Sequence, residues 1–414
     1  MSSESSSDEF EVELSWDETL QRIKENDPHV RTIISDGETH NMSYEELEEL
    51  GRDIASNTHF VRVDLSCERL RDHMISSLFR GLTRSSSIEE LNFNYNQFSA
   101  AGVRSMIPFL QTANSLKHLD LGRNNIQSEG FNVLLRALRD SPIEKLFCMR
   151  CGIHSIEIDT EHAPQNLRHL ALRGNSINAD GCRELAKLLQ GGDVTLEYLY
   201  LEYNKIDDDG VEILVNALQT NSSLTYLDLR ENDEISKRGV IMMLKLVNDI
   251  SSIEATLQSN HTLKRLDVVK SDEERIHRHI YNAINISSNA RSHEAAGREK
   301  VIQTQLNSEI RANFAALQGV NHSVYSEIDP LHLPEVLALV GRHHGQGELY
   351  IALKSSIADL ISTVDRKECI RQQMTYYAAR LKELGSELAA IEAAEGSAMS
   401  VGNEPRSIKK RRAC

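Results

Sequence analysis

The side chains best suited to chemistry are two cysteines, Cys148 and Cys151, which form a C-x-x-C pair. Such a pair can act as a redox disulfide or as half of a zinc site. Structural zinc requires four ligands, and no second pair stands at a suitable spacing. We therefore expect two buried, reduced thiols and no metal. The adjacent His343 and His344 have no completed ligand set beside them, so a solvated turn is expected there.

Sequence motifs of common active sites are missing: there is no G-x-G-x-x-G, P-loop, H-E-x-x-H or G-x-S-x-G. We therefore expect a non-enzymatic protein without a cofactor. The formal net charge is −16, which argues against sequence-independent binding of DNA or RNA because that needs a basic surface. A protein partner of unknown identity is favoured.

Signals for cellular location are few. No apolar run approaches the roughly 18 to 20 residues of a membrane helix, and the acidic start MSSESSSDEFEVE does not look like a secretory signal. The six cysteines lack the dense spacing of a secreted disulfide scaffold. The run Lys409 to Arg412 matches a simple nuclear-import signal. A cytoplasmic or nuclear protein without membrane attachment is expected.

One recurring phrase, LxxLxLxxNxI, positions most of these side chains. It occurs as LNFNYNQF at 91–98, LDLGRNNI at 119–126, LALRGNSI at 170–177, LYLEYNKI at 199–206 and LDLRENDEI at 227–235. Its first apolar position falls at Phe60, Ile88, Leu116, Ile143, Leu167, Leu196, Leu224 and Leu263. A repeat of this length indicates a stack of similar units. Cys148 takes a core leucine position in this register, and Cys151 takes the asparagine position.

Each repeat combines a short strand with a helix. Alternating leucines place one side of the strand in the core, and stacking joins the strands into a parallel sheet. The turn asparagines can satisfy backbone groups where the strand ends: Asn96, Asn124, Asn175, Asn204 and Asn232. Capping residues precede four of the predicted helices: Ser99, Asn178, Asp207 and Ser236.

Two repeats depart from this pattern. The repeat that begins at Ile143 lacks the helix phrase and carries SIEIDTEHAPQN instead, so an extended segment is expected. The repeat that begins at Leu224 is about eleven residues too long, and the surplus near 248–253 is expected to form a loop or a helix extension, as repeat insertions do.

With these residues in place, positions 30–268 resemble the ribonuclease-inhibitor-type leucine-rich-repeat superfamily. The resemblance implies an α/β solenoid, a horseshoe with a parallel concave sheet and convex helices, which binds through the concave face or its rim. It implies no single activity. The segment HLPEVLALVGR at 332–342 belongs to an α-helical C-terminal extension that resembles those of uncharacterised repeat proteins from unicellular algae.

The predicted organisation has six parts. They are a disordered acidic tail at 1–13, an N-terminal cap at 14–59, the solenoid at 60–270, a helical region at 271–363, a heptad helix at 364–395 and a disordered basic tail at 396–414. Apolar residues at 370–391 follow a heptad spacing. This helix is expected either to mediate self-association or to pack on the preceding helices.

The concave face is the predicted binding site, because tyrosine and arginine dominate binding hot spots. The selected residues are Tyr95, Arg123, Phe147, Arg150, Arg173, Tyr198, Tyr200, Tyr203, Tyr226 and Arg230. Four of the tyrosines, on two adjacent strands, are expected to form one aromatic patch with arginines at its edge. Glu202 is expected on the open face.

Three functions follow from these observations. The first is a binding or scaffold protein that holds a protein partner on the concave face. The second is a GTPase-activating protein resembling the Ran-type activators, although those end in an acidic tail and this chain ends in a basic one. The third is an actin-filament capping protein resembling tropomodulin. No catalytic residue can be assigned for either alternative.

Overall fold

The computed structural model describes residues 15–301 and 303, except 36, 84, 160–162, 191–195, 252 and 269–273. The predicted acidic tail, heptad helix and basic tail lie outside the described residues, as do the histidine pair and the segment 332–342. Of the predicted helical region, only 274–301 and 303 are described.

Nine short strands in this part of the chain form one parallel sheet in sequence order. They are β1 (Thr32–Ile34), β2 (Arg62–Asp64), β3 (Glu90–Asn92), β4 (His118–Asp120), β5 (Lys145–Phe147), β6 (His169–Ala171), β7 (Tyr198–Tyr200), β8 (Tyr226–Asp228) and β9 (Arg265–Asp267). The middle residue of each strand is buried, with Leu119 and Leu199 fully so. Its two neighbours therefore point to the opposite, concave face.

All but the first and the last two of the described helices lie between successive strands, and the helices supply the other half of the core. They are α1 (Trp16–Lys24), α2 (Tyr44–Ser56), α3 (Asp72–Gly81), α4 (Ala100–Leu110), α5 (Gln127–Ala137), α6 (Ala179–Gln190), α7 (Asp208–Leu218), α8 (Lys237–Val247), α9 (Ile253–Gln258), α10 (Glu274–Asn289) and α11 (His293–Lys300). None of the described helices is long and apolar enough to cross a membrane. The predicted α/β solenoid with a parallel sheet is confirmed.

The turn asparagines link each repeat to the one before it. Asn175 shows the full pattern: its amide donates to the carbonyls of Cys148 (2.9 Å) and Leu172 (2.8 Å). Its oxygen accepts from the backbone nitrogens of Cys151 and Ile153, both at 3.0 Å. These buried groups would otherwise lack partners, so the asparagine holds two repeats together.

Two other residue types take the asparagine position. Glu68 accepts from the backbone nitrogens of Gly37 (2.7 Å) and Thr39 (3.1 Å), which ties the first regular repeat to the N-terminal one. The Cys151 thiol donates to the Leu121 carbonyl at 3.3 Å. Cys148 and Cys151 are buried and free of a disulfide, and burial raises the pKa of the Cys148 thiol.

The predicted helix caps are present, and two further aspartates cap the start of the helix in the next repeat. Ser99, Asp207 and Ser236 each accept from a backbone nitrogen in the first turn of their helix, and Asn178 accepts from Asp180 and Gly181. In addition, the carboxylates at two helix starts reach across to the next helix. Asp72 accepts from the nitrogens of Ser99 and Gly102, and Asp208 from those of Ser236 and Gly239.

The first irregular repeat follows the expectation, and the long repeat follows it in part. Residues 151–159 form no regular element. Side chains of the adjacent helices satisfy their backbone instead, with Asn132 accepting from Glu157 and Glu184 accepting from Ile158. In the long repeat, residues 248–251 form no helix or strand, as expected for a loop, and a separate short helix, α9, follows them.

Candidate protein-binding face

The concave face is a lattice of side chains with one set per strand. In each strand the first and third residues point to this face, so His118, Lys145, His169, Tyr198 and Tyr226 lie in register across neighbouring strands. The loop after each strand adds a residue immediately before the turn asparagine or its equivalent. We call this set the turn row: Cys67, Tyr95, Arg123, Arg150, Gly174, Tyr203 and Glu231.

Every residue of the turn row has a left-handed backbone. Its φ angles run from +53° at Arg150 to +69° at Gly174, with +58° at both Tyr95 and Tyr203. This region costs a residue with a Cβ roughly 1 to 2 kcal/mol, and it favours glycine. Only one member is glycine. The repeat fold therefore imposes a positive φ at these positions, although most of them carry a side chain larger than that of glycine.

Aromatic rings gather at β6 to β8. The Tyr198 ring stacks on His169, with centroids 4.1 Å apart and an interplanar angle of 6°. Tyr200 packs edge-on against Tyr226, with centroids 5.0 Å apart. Tyr203 is exposed, and the Arg173 guanidinium lies 4.8 Å from its ring centroid. The structure thus brings four tyrosines and one arginine of the predicted site together.

Tyr226 departs from the expectation of an exposed contact residue. Its side chain is buried, and its hydroxyl lies 3.0 Å from an Asp228 carboxylate oxygen and 2.9 Å from an Asp267 oxygen. The Arg265 guanidinium covers the ring at 4.8 Å. Burial and the two carboxylates raise the pKa of this phenol. Tyr226 supports Tyr198 and Tyr200 from below, and its own hydroxyl is already satisfied.

Glu202 was expected on the open face, and that expectation was wrong. It is only 5% exposed. The nearest cation is Arg173, whose Nε is 3.5 Å from Oε1. Among the described residues, Oε2 has no hydrogen-bond partner. Burial raises the pKa of this carboxyl, and the nearby Asp228 raises it further.

Arg230 lies at the edge of the aromatic cluster as expected, but its charge is engaged. The guanidinium contacts Asp228, with Nη2 to Oδ2 at 2.5 Å and Nε to Oδ1 at 3.0 Å. Asp228 is 1% exposed. This ion pair therefore compensates a buried carboxylate, and Arg230 offers a partner only the remainder of its exposed surface.

The remaining predicted residues lie towards β3 to β5. Tyr95 is exposed, with the Arg123 guanidinium 5.5 Å from its ring centroid. The Phe147 ring packs edge-on against His118 at 4.7 Å, and Arg150 is exposed. Tyr95 and Tyr226 are five strands apart, about 24 Å at the usual strand spacing. The predicted site therefore extends along the sheet from the loop after β3 to the loop after β8.

His169 and Arg265 were not selected from the sequence, yet each packs on a selected tyrosine. Strand register could have identified both, since His169 pairs with Tyr198 and Arg265 pairs with Tyr226. Burial lowers the pKa of His169 and that of His118. Both imidazoles are therefore neutral at pH 7 and act as flat packing surfaces.

Comparisons with known proteins agree with this architecture. A family model described as "Leucine Rich repeat" matches residues 112–131, 163–186, 193–215 and 220–244. Mouse ribonuclease inhibitor is 27% identical over 199 residues, which cover 46% of this chain and 43% of that protein. Human NACHT, LRR and PYD domains-containing protein 13 is 29% identical over 190 residues, covering 46% of this chain and 16% of that protein. The matched region therefore spans less than half of either relative.

Similar solved structures include the leiomodin-1 actin-binding site 2, with 21% identity, a TM-score of 0.29 and coverage of 34% of this chain and 81% of that one. The repeats, the parallel sheet and the sequence relatives define a leucine-rich-repeat protein. Within that class, the chain is similar to ribonuclease inhibitors over somewhat less than half of its length.

Proposed function

We propose that this protein is a non-enzymatic scaffold that holds a protein partner against its concave face. Its relationship to leucine-rich-repeat proteins supports a role in protein interaction. The observation that carries the proposal is the turn row, where large side chains occupy backbone positions that favour glycine. Local strain of this kind concentrates at ligand-binding positions.

Exposure of the turn row supports this interpretation. Tyr95 is 57% exposed and Tyr203 is 45% exposed. Burial of these side chains in the core therefore does not offset the free-energy cost of their left-handed backbone. Each has one cation over its ring, a contact worth about 0.5 to 1 kcal/mol at an exposed site. That gain is smaller than the cost of the left-handed backbone. A partner that covers these rings would account for their retention.

Two hydroxyls beside the turn row are also free to bind. Among the described residues, the hydroxyls of Tyr198 and Tyr200 have no hydrogen-bond partner, in contrast to Tyr226. Both rings are half-buried and held by aromatic neighbours. Rigid tyrosines with unused hydroxyls can bury apolar area and bond to a partner's backbone at little entropic cost.

The test compares capture of proteins by the tagged full chain and by a Tyr198→Ala, Tyr200→Ala variant, quantified by mass spectrometry. For a captured partner, the variant should weaken binding by about 2 kcal/mol or more while thermal unfolding changes little. The matched control replaces two exposed tyrosines of convex helices, Tyr44 and Tyr281, by alanine. Equal capture by the variant and wild type would move the binding site off this face.

A further inference from the structure

Charge is distributed unevenly along the concave face. Carboxylates occur at both ends, with Asp64 and Asp120 on β2 and β4, and Asp228 and Asp267 on β8 and β9. No carboxylate occurs at the concave positions of β5 and β6, or at the turn-row positions of the loops that follow these strands. Those positions hold Lys145, Phe147, Met149, Arg150, His169, Ala171, Arg173 and Gly174. Glu144 precedes β5 and lies outside both sets.

Three of the flanking carboxylates form hydrogen bonds within the protein, whereas Glu90 on β3 is half exposed and lies 3.8 Å from the Arg62 guanidinium. Asp64 accepts from Ser66, Arg62 and Asn92, and Asp228 is bound by Arg230. Asp120 accepts from the Gly122 nitrogen at 2.8 Å and the Asn94 amide at 3.2 Å. These three carboxylates are partly or fully buried, so the accessible negative charge on the flanks comes mainly from Glu90 and Glu231, both outside β5, β6 and the loops that follow them.

Three cations at the centre are different. Lys145, Arg123 and Arg150 are exposed, and in the described part of the chain their side chains form neither an ion pair nor a hydrogen bond. The convex arginines Arg136 and Arg183 are each paired with a carboxylate. Exposed cations elsewhere, such as Arg31 and Lys205, are unpaired too among the described residues, but Lys145, Arg123 and Arg150 lie close together, on β5 and on two adjacent loops of the concave face.

The loops also position Arg150. A Cβ at residue 174 would lie 2.7 Å from Arg150 Cγ, so Gly174 leaves room for the arginine stem to lie across the turn row. The backbones of Arg123 and Arg150 are on adjacent loops, since the Arg123 nitrogen donates to Met149 and the Arg150 nitrogen to Arg173. Phe147 and Met149 provide half-buried apolar surface beside these cations.

We propose that the partner presents an acidic polypeptide segment, which crosses β4 to β6 with its carboxylates on Arg123, Lys145 and Arg150. This inference rests on the proposed function and names the chemistry of the partner. Guanidinium groups bind carboxylates through paired hydrogen bonds. Complementary charge mainly accelerates association and selects among partners, while Phe147 and Met149 receive apolar side chains of the same segment.

Fluorescence anisotropy of the full-length protein with labelled polymers tests the proposal. The probes are a glutamate–tyrosine copolymer, a lysine–tyrosine copolymer and polyuridylate. We expect binding of the glutamate–tyrosine copolymer alone, weakened by added salt. Arg123→Glu with Arg150→Glu should raise its Kd at least tenfold. The convex pair Arg136→Glu with Arg183→Glu makes the same change in net charge and should alter Kd by less than twofold.

Several outcomes would overturn the acidic segment. They are no binding of the glutamate–tyrosine copolymer, equal loss in both charge-reversed pairs, or polyuridylate binding that depends on Arg123 and Arg150. Thermal unfolding of each variant confirms that it is folded. The copolymer could fail to bind while the Tyr198→Ala, Tyr200→Ala variant still captures less partner than the wild type. That result would support the concave face as the binding site and reject only the acidic segment as its ligand.

Discussion

At the residue scale, single polar side chains decide how strongly neighbouring repeats adhere. Asn175 satisfies four buried backbone groups from two repeats. The exposed Lys205 side chain, in contrast, forms no ion pair or hydrogen bond with the described residues. The asparagine positions could be read from the sequence because the phrase repeats. The burial of Glu202 could not, because it depends on how closely adjacent loops approach.

Replacing Asn175 by alanine should lower the free energy of unfolding by about 1 to 3 kcal/mol, because buried backbone groups lose their partners. Urea titration measures the change. Lys205→Ala, an exposed substitution in the next repeat, should alter stability by less than about 0.5 kcal/mol. Similar losses in the two variants would mean that the asparagines do not hold the repeats together.

Glu202 predicts an unusual pH dependence. Its pKa in the folded protein is raised by burial, so the folded state holds the proton more tightly than the unfolded state. Stability from this group is therefore present at low pH and falls as pH rises from 4.5 through the raised pKa. Glu202→Gln removes the effect. Relative to wild type, this variant should be more stabilised at pH 7 than at pH 4.5 in urea titrations, and a pH-independent difference would refute the assignment.

At the element scale, each repeat is a strand, a turn and a helix whose junctions are determined by local chemistry. The caps at Ser99, Asp207 and Ser236 were predictable because capping residues stand at a fixed distance before each helix. The hydrogen bonds from the next repeat to the Asp72 and Asp208 carboxylates could not be predicted, because they depend on the distance between helices of different repeats. Likewise, sequence spacing does not reveal the left-handed turn row.

The left-handed backbone of the turn row predicts that glycine is more stabilising than alanine there, the opposite of their order in a helix. At residue 203, with φ of +58°, the glycine variant should be more stable than the alanine variant by about 1 kcal/mol. At Arg183, an exposed position inside α6, the order should reverse by a similar amount because glycine weakens helices. Urea titration of the four variants checks both orders. Alanine and glycine of equal stability at 203 would show that the turn is unstrained.

At the scale of the whole molecule, stacking converts a repeated phrase into a continuous sheet. The period alone predicted the parallel order of the strands, because each unit must bury its leucines against the next. Which of the predicted site residues are paired within the protein could be learned only from coordinates. Tyr226 and Arg230 are engaged with the buried Asp228 carboxylate, whereas the hydroxyls of Tyr198 and Tyr200 have no hydrogen-bond partner among the described residues.

Site-specific photo-crosslinking tests most directly whether a partner lies on the concave face. A benzophenone amino acid placed at Tyr203 on the turn row would be compared with the same group at Tyr281, which is 64% exposed on α10. The proposed function predicts that position 203 cross-links the partner and position 281 does not, and that Tyr198→Ala with Tyr200→Ala abolishes the product. Cross-linking of the partner at position 281 but not at 203 would contradict it.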